Sequence, residues 1–391
     1  MTPITATADL AAFCRQLSKE PFVAVDTEFM RETTYWPRLC LIQAAGAEVS
    51  ANIDPLAEGL DLSCFLEVLA DPQIVKVFHA ARQDVEIFNN LGVIPKPLFD
   101  TQVAAMAAGF GEQIAYDALV RQMLRVDIDK SSRFTDWARR PLSQAQLEYA
   151  LADVTHLAEV YPRLRERLEK EGRLGWVTDE MAGLTDPANY DTDPANAWRR
   201  LKPRKHTAKY MAVLKAVAAW RERMAQTRDQ PRGRILKDDA IDEIATQAPT
   251  DEEALSRLRG VPRGFGNSKF AEGLLAAVRE AVASPEAHAA PAPRPERRPH
   301  VQAAGAVVEL LKVLLKARAE EAGVASKLIA TVADLEMIAA EDEAETPALQ
   351  GWRREAFGAD ALRVKRGELA LVLDGARVRV VEVRRGPRAA G

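Results

Sequence analysis

The sequence predicts an α/β domain built on a mixed sheet, followed by small all-α domains. Three observations carry this expectation. Short β-rich runs alternate with helical segments from residue 21 to about 100, helical spacing dominates from 101 onward, and turn-rich or Pro-rich stretches cut the helical part into blocks. A chain of 391 residues with 47% apolar and 28% charged content also has material for several cores and the composition of a soluble globular protein.

Taken in order, "FVAVDTEF" (22–29), "RLCLIQAA" (38–45) and "EVSANID" (48–54) read as strands. A helix is expected near 61–70, a strand in "IVKVFHA" and a helix in "RQDVEIFNNLG" that ends at Gly92. Helices follow in "TQVAAMAAGF", "AYDALVRQML" and the long run 143–172, where Ser143 is the N-cap, Gly172 lies past the end and Pro162 implies a kink or break. The first domain is therefore placed at 1–172. Residues 173–203, with "LTDPANYDTDPANAW", read as a turn-rich connector. A second helical unit covers 204–283, opening with a helix from Thr207 to about Thr227 and offering Thr250 and Glu253 as a capping box. The Pro/Ala-rich stretch 284–300 lacks apolar periodicity and marks a semi-rigid linker. A third unit, 301–391, holds more helices and a C-terminal β-hairpin through Asp374-Gly375.

A net charge of −4 does not advertise a polyanion partner. No stretch approaches the roughly 18 apolar residues of a membrane helix, and "MTPITATADL" lacks the basic and apolar regions of a signal peptide. A cytoplasmic protein without a membrane partner is expected. Cys14, Cys40 and Cys64 are odd in number, far apart and set in apolar surroundings, so they read as reduced packing residues.

The chemistry lies in the acids. Asp26 and Glu28 close an apolar strand, where an unpaired charge is expensive, and strand alternation points both to one face about 7 Å apart. Asp84 falls in the first turns of the helix that follows the "VFHA" strand, and Tyr149 and Asp153, four apart, share a helix face. If Asp26, Glu28, Asp84 and Asp153 converge, they repel: two like charges 4 Å apart cost about 4 kcal/mol at an effective dielectric near 20. Such a cluster needs cations. All-oxygen ligands suit Mg²⁺ or Mn²⁺, and two such ions form the usual clamp for attack on a phosphodiester.

D-x-E after an apolar strand, H-x4-D across a strand-to-helix junction and Y-x3-D in a late helix resemble the three exonuclease motifs of the DEDD superfamily, in its tyrosine subgroup. Within it, "DTEFMRETTYWPRLCLIQ", "FHAARQDVEIF" and "DWARRPLSQAQLEYALADV" are similar to the ribonuclease D family over roughly residues 5–172. The resemblance implies a ribonuclease H-like α/β exonuclease fold and a metal-dependent 3′–5′ exoribonuclease releasing mononucleotides from tRNA precursors and small structured RNAs. It implies that Asp26, Glu28 and Asp153 hold one metal ion, that Asp26 also bridges to a second held by Asp84, and that Tyr149 orients the attacking water. His79 is an added candidate for the substrate wall, or else a structural residue, since no second histidine lies near it.

Between Trp198 and Lys237 the chain is strongly basic, with Arg199, Arg200, Lys202, Arg204, Lys205, Lys209, Lys215, Arg221, Arg223, Arg228, Arg232, Arg234 and Lys237 against only Glu222 and Asp229. Such a stretch suits phosphate contacts. It opens a unit that resembles the HRDC domain, and a second HRDC-like copy is expected in the third unit. Phe29 and Met30, directly after D-x-E, could wedge against terminal nucleotides or belong to the core. Arg31, Tyr35, Trp36 and Arg38 suit a substrate edge, and Trp137, Arg139 and Arg140 are either contacts or structural. The partner expected is RNA with a single-stranded 3′ end, bound by a monomer. A 3′–5′ exonuclease acting mainly on DNA and an inactive RNA-binding adaptor are the alternatives.

Overall fold

The computed structural model describes residues 2–133, 135–262, 264–288 and 305–383. Most of the expected linker, from 289 onward, and the tail beyond 383 lie outside the described residues.

The apolar run Phe22–Val25 is buried at the centre of a five-stranded sheet. Its strands are β1 (Phe22–Met30), β2 (Arg38–Ala45), β3 (Ser50–Ile53), β4 (Val75–Phe78) and β5 (Leu98–Asp100), in spatial order β3-β2-β1-β4-β5. The β1–β2 and β2–β3 pairs are antiparallel and the β1–β4 and β4–β5 pairs parallel, so the sheet is mixed as expected. β5 was not anticipated: three residues between Pro97 and a helix start are too few to show a strand period.

The helices of this domain are α1 (Thr7–Leu17), α2 (Ser63–Ala70), α3 (Arg82–Asn90), α4 (Thr101–Ala107), α5 (Tyr116–Leu124), α6 (Gln144–Lys170) and α7 (Leu174–Leu184). Ser143 caps α6 through a reciprocal box with Gln146. The helix runs unbroken through Pro162. The proline forfeits one N–H bond and costs about 3 kcal/mol, but Val160, Tyr161, Leu164 and Leu168 bury the face around it, each worth about 1.5–3 kcal/mol. α7 occupies the start of the stretch expected to be a connector. Its Val177 and Met181, with Tyr190 beyond it, belong to the first core.

The second unit contains α8 (Ala208–Arg228), α9 (Arg232–Ile235), α10 (Asp238–Gln247), α11 (Glu252–Ser256), α12 (Lys269–Ala283) and α13 (Pro285–His288), around Leu214, Val217, Trp220, Ile241 and Leu274. Thr207 caps α8. Thr250 does not cap α11: Asp251 does, accepting from Ala254 N at 2.8 Å, because its ionised oxygen serves the helix N-terminus better than a hydroxyl.

The third unit contains α14 (Gly305–Ala322), α15 (Ser326–Ile329), α16 (Val332–Ala340) and α17 (Gly351–Arg353), which continues through a π turn into α18 (Ala359–Lys365). The hairpin of β6 (Leu369–Asp374) and β7 (Arg377–Glu382) closes the chain. Its loop is Gly375-Ala376, one residue later than expected, because Asp374 still pairs with Arg377. Gly375 takes the φ of +60° that such a loop needs.

Both helical units dock on the first domain. Trp176 stacks on Trp352 of the third unit at 4.3 Å with planes 2° apart, Arg173 donates to the carbonyls of Ala107 and Ala322, and Ala325 N donates to Met106 O at 3.0 Å. A Cβ at Gly109 would meet Gly323 O at 2.6 Å, so this approach needs glycine. No described helix is long and apolar enough to cross a membrane.

Candidate active site

β1 carries Asp26 and Glu28 to the open end of the sheet, and the β1–β2 register shifts between Glu28 and Phe29. Such a bulge re-aims the strand just past the second acid. α6 crosses β1, β2 and β3 and lays Asp153 over the same point, with Tyr149 one turn earlier. Carboxylate oxygens of Asp26, Glu28 and Asp153 lie within 4.8 Å of one another. Asp84, in the first turn of α3, is buried beside them but outside that trio, and its Oδ1 accepts from Thr27 Oγ1 at 2.5 Å. Tyr149 hydrogen-bonds Asp153 through its hydroxyl.

The acids are held against their ordinary ionisation. Burial lifts Asp26 to about 6. Glu28 is pushed to about 9 by burial and then by Asp26, Asp153 and Asp84, with Arg133 opposing. Asp153 rises to about 8 through burial and Asp26, against the hydrogen bond from Tyr149 and the charge of Arg133. Asp84 is raised well above the usual carboxylate range by burial and Asp26. Burial and Asp153 also raise Tyr149, so its hydroxyl stays protonated at neutral pH and acts as a donor. Clustered, desolvated oxygens that must take up protons when no other cation is near fit a hard divalent ion.

Of these groups Asp26, Tyr149 and Asp153 open onto a cleft of about 590 Å³, whose wall also includes His79, Gln102, Gln113, Tyr116, Asp117, Lys130 and Arg133. His79 is in this wall with both ring nitrogens engaged, Nδ1 at 3.0 Å from Thr101 Oγ1 and Nε2 at 3.1 Å from Ile114 O. Burial pushes its pKa down. Lys130, Arg133 and Tyr116 were missed in the sequence. They precede the last motif without a recognisable spacing, and only the fold turns them inward. Asp100 was missed as well: 2% exposed, it accepts from the N–H groups of Ala80, Ala81 and Gln102 and so fixes the turn from which α3 starts. An Asp-Thr pair opening a helix was its signal.

Other expected substrate residues lie elsewhere. Phe29 and Met30 are partly buried outside the cleft wall, Met30 against the small core of Cys40, Leu41, Trp137 and Leu147. Trp137, 3% exposed, is a core residue, and Arg140 is spent on Asp54 and the carbonyls of Cys40, Trp137 and Arg139. Arg31 pairs with Glu86, and Tyr35 is buried against the second unit rather than forming a substrate edge. Lys205 and Lys209 are exposed on the second unit, and Arg204 there pairs with Asp239 and Asp242.

The chain matches the 3′–5′ exonuclease family over residues 1–169 and the HRDC domain family over 211–278. It is 53% identical to a ribonuclease D of Granulibacter bethesdensis over 97% of this chain and 96% of that one, and 51% identical to a ribonuclease D of Nitrobacter hamburgensis over 98% and 100%. Among solved structures it is similar to Escherichia coli RNase D, an exoribonuclease involved in structured RNA processing, with TM-score 0.78 and 30% identity over 94% of this chain and 99% of that one.

Proposed function

The chain belongs to the ribonuclease D family and is a 3′–5′ exoribonuclease, and we propose that it depends on divalent metal and that its own residues perform the reaction as follows. The observation that carries the reading is the convergence of Asp26, Glu28 and Asp153, from β1 and α6, on one point of an open cleft. In our reading these three hold one ion, while Asp26 and Asp84 share a second. The separate place of Asp84 beside Asp26 supports two positions rather than one. The all-oxygen donor set suits Mg²⁺ or Mn²⁺. Bound ions supply Lewis acidity and neutralise the charge that phosphodiester hydrolysis develops.

The protein's part is orientation. Tyr149, kept neutral, donates its one O–H to Asp153 and accepts from the attacking water, aligning it against the scissile phosphorus. Lys130, paired with Asp117 at 2.7 Å, and Arg133 line the same cleft and provide cationic contacts for the phosphate on the 5′ side of the 3′-terminal nucleotide. His79 holds the wall through Thr101 and Ile114 and leaves its ring face to the substrate. Lys205 and Lys209, exposed on the second unit, give salt-dependent contacts to RNA further from the 3′ end, with Arg204 beside them, while Phe29 and Met30, directly after Glu28, wedge against the terminal nucleotides.

The substrates we propose are 3′ trailers of tRNA precursors and small structured RNAs with a single-stranded 3′ end, processed in the cytoplasm by a monomer. We also read the third unit as a second HRDC-like copy: α14, α15 and α16 have 18, 4 and 9 residues where α8, α9 and α10 have 21, 4 and 10, and the residues closing α9 and α15 are both extended at φ −161° and −152°.

A 5′-labelled RNA with a short single-stranded 3′ tail, and its DNA counterpart, incubated with Mg²⁺, Mn²⁺ or chelator, tests the reading. A ladder shortening from the 3′ end of RNA, dependent on metal, is expected. Preference for DNA would overturn the substrate assignment, and internal cuts would overturn the direction.

A further inference from the structure

The loop between β1 and β2, residues 31–37, leaves the Asp26–Glu28 strand end and crosses to the second unit. Tyr35 is only 7% exposed although it lies in this loop. Its hydroxyl donates to Glu222 Oε1 at 2.5 Å and accepts from Arg232 Nη2 at 2.8 Å and Gln226 Nε2 at 3.1 Å. The Arg232 guanidinium also lies 4.5 Å over the Tyr35 ring. The backbone N–H groups of Tyr35 and Trp36 both donate to Asp229 Oδ1, at 3.0 and 2.9 Å.

Glu222 is fully buried, and its two oxygens take both faces of the Arg232 fork at 2.6 Å, with Arg200 at 2.9 Å. Burial alone would push Glu222 up, but the hydrogen bonds from Arg232 and Tyr35 outweigh it and leave the carboxyl below its ordinary range. A buried polar network satisfied in this way is rigid. The same loop is tied to the active site at its other end. Arg31 grips Glu86 through both terminal nitrogens at 3.2 and 3.3 Å, and Glu86 stands two residues from Asp84 on α3.

We propose that Tyr35 and Asp229 are positioning residues: through them the second unit latches the 31–37 loop, and with it the Glu28 end of β1 and the helix bearing Asp84, in the geometry hydrolysis needs. The inference rests on the exonuclease reading of that site. It separates two jobs of the second unit, since Arg200 and Arg232 are committed to Glu222 and Tyr35 is covered. The latch therefore acts on the catalytic groups and not by gripping RNA. Bulged strand ends and loops lose ligand geometry by fractions of an ångström when released, which is enough to slow a positioned reaction.

The test compares Asp229→Gly, which removes the acceptor while keeping the left-handed backbone at φ 47°, with Asp229→Asn, which keeps an oxygen acceptor. Tyr35→Phe is the second variant. Each is assayed on a diribonucleotide, the shortest RNA with a phosphodiester to cleave, and on the tailed RNA. For Asp229→Gly and Tyr35→Phe the expected result is kcat lower by about tenfold on both substrates, KM within about twofold and Mn²⁺ binding by calorimetry weaker by about tenfold, with Asp229→Asn near wild type. The proposal is overturned by unchanged kcat, by unchanged Mn²⁺ affinity, by a loss confined to KM or to the long RNA, or by an Asn variant as slow as Gly. A wild type that cleaves neither substrate would instead sink the exonuclease reading itself.

Discussion

Replacing Asp153 by Asn should destroy activity while making the metal-free protein more stable. Asp153 is 7% exposed, and burial with the Asp26 charge raises it from 3.8 to about 8. At pH 7 the folded protein must therefore hold a proton that the unfolded chain releases, at a cost of about 4 kcal/mol. Asparagine keeps the shape and needs no proton. The sign follows from the raised pKa: the penalty is absent below pH 3.8, where the group is protonated in both states, grows as pH rises, and is complete above about 8. Thermal unfolding in chelator should show the Asn variant several degrees above wild type at pH 7.5 and level with it near pH 4, since about 1 kcal/mol moves a domain of this size by roughly 2–4 °C. Added Mg²⁺ should stabilise wild type, more at higher pH as metal displaces protons, and leave the variant nearly unmoved. An Asn variant less stable than wild type in chelator at pH 7.5 would refute the reasoning, because the acids would then be paired rather than repelling.

Tyr149→Phe should lower single-turnover cleavage by about 100-fold while Mn²⁺ affinity stays within a few-fold, since in the role we propose the hydroxyl orients water and is not an ion ligand; a lost Mn²⁺ affinity would contradict this. Arg140→Lys should cost about 3 kcal/mol in chemical denaturation and leave KM for RNA unchanged, because an ammonium cannot replace the fork that joins both oxygens of Asp54 at 2.7 Å; a raised KM at unchanged stability would make it an RNA contact. Trp352→Ala removes a stack worth about 1 kcal/mol beyond its area and should speed limited proteolysis between the first and third units. Equal cleavage rates would leave Arg173 and the Met106–Ala325 bond as the interface.

What was legible in the sequence was what spacing encodes. Asp26 and Glu28 at the end of an apolar run, and Tyr149 and Asp153 one turn apart, had to share faces of a strand and a helix whatever the tertiary fold. Convergence of β1 with α6 could not be read from either segment alone, since it depends on α6 crossing the sheet. Short elements escaped for a simpler reason: β5 has three residues, and α7 begins in a stretch whose later Pro-Ala turns dominate the pattern. Lys130 and Arg133 had no signal, because a cation before a motif looks the same whether the loop faces solvent or the cleft.

The basic stretch shows where composition misleads. Along the chain it offers phosphate-binding charge with two acids to offset it, but folding pairs by distance and not by sequence. Glu222 takes Arg200 and Arg232, Arg221 is 3% exposed and donates to Leu236 O and Asp238, and Arg204 meets Asp239 and Asp242 from beyond the stretch. Lys215 and Arg228 lie over the rings of Trp198 and Phe270. Much of the apparent RNA-binding charge thus builds the second unit and its latch to the first domain, and the exposed remainder, Lys202, Lys205, Lys209 and Arg223 among them, is the charge we propose for the salt-dependent contacts. Removing one phosphate-bound cation lowers the slope of log affinity against log salt by about 0.7 on single strands, so Lys205→Ala with Lys209→Ala should flatten it by about 1.4 and leave kcat on a diribonucleotide intact. A slope unchanged in that double variant would move the RNA path off this face of the second unit.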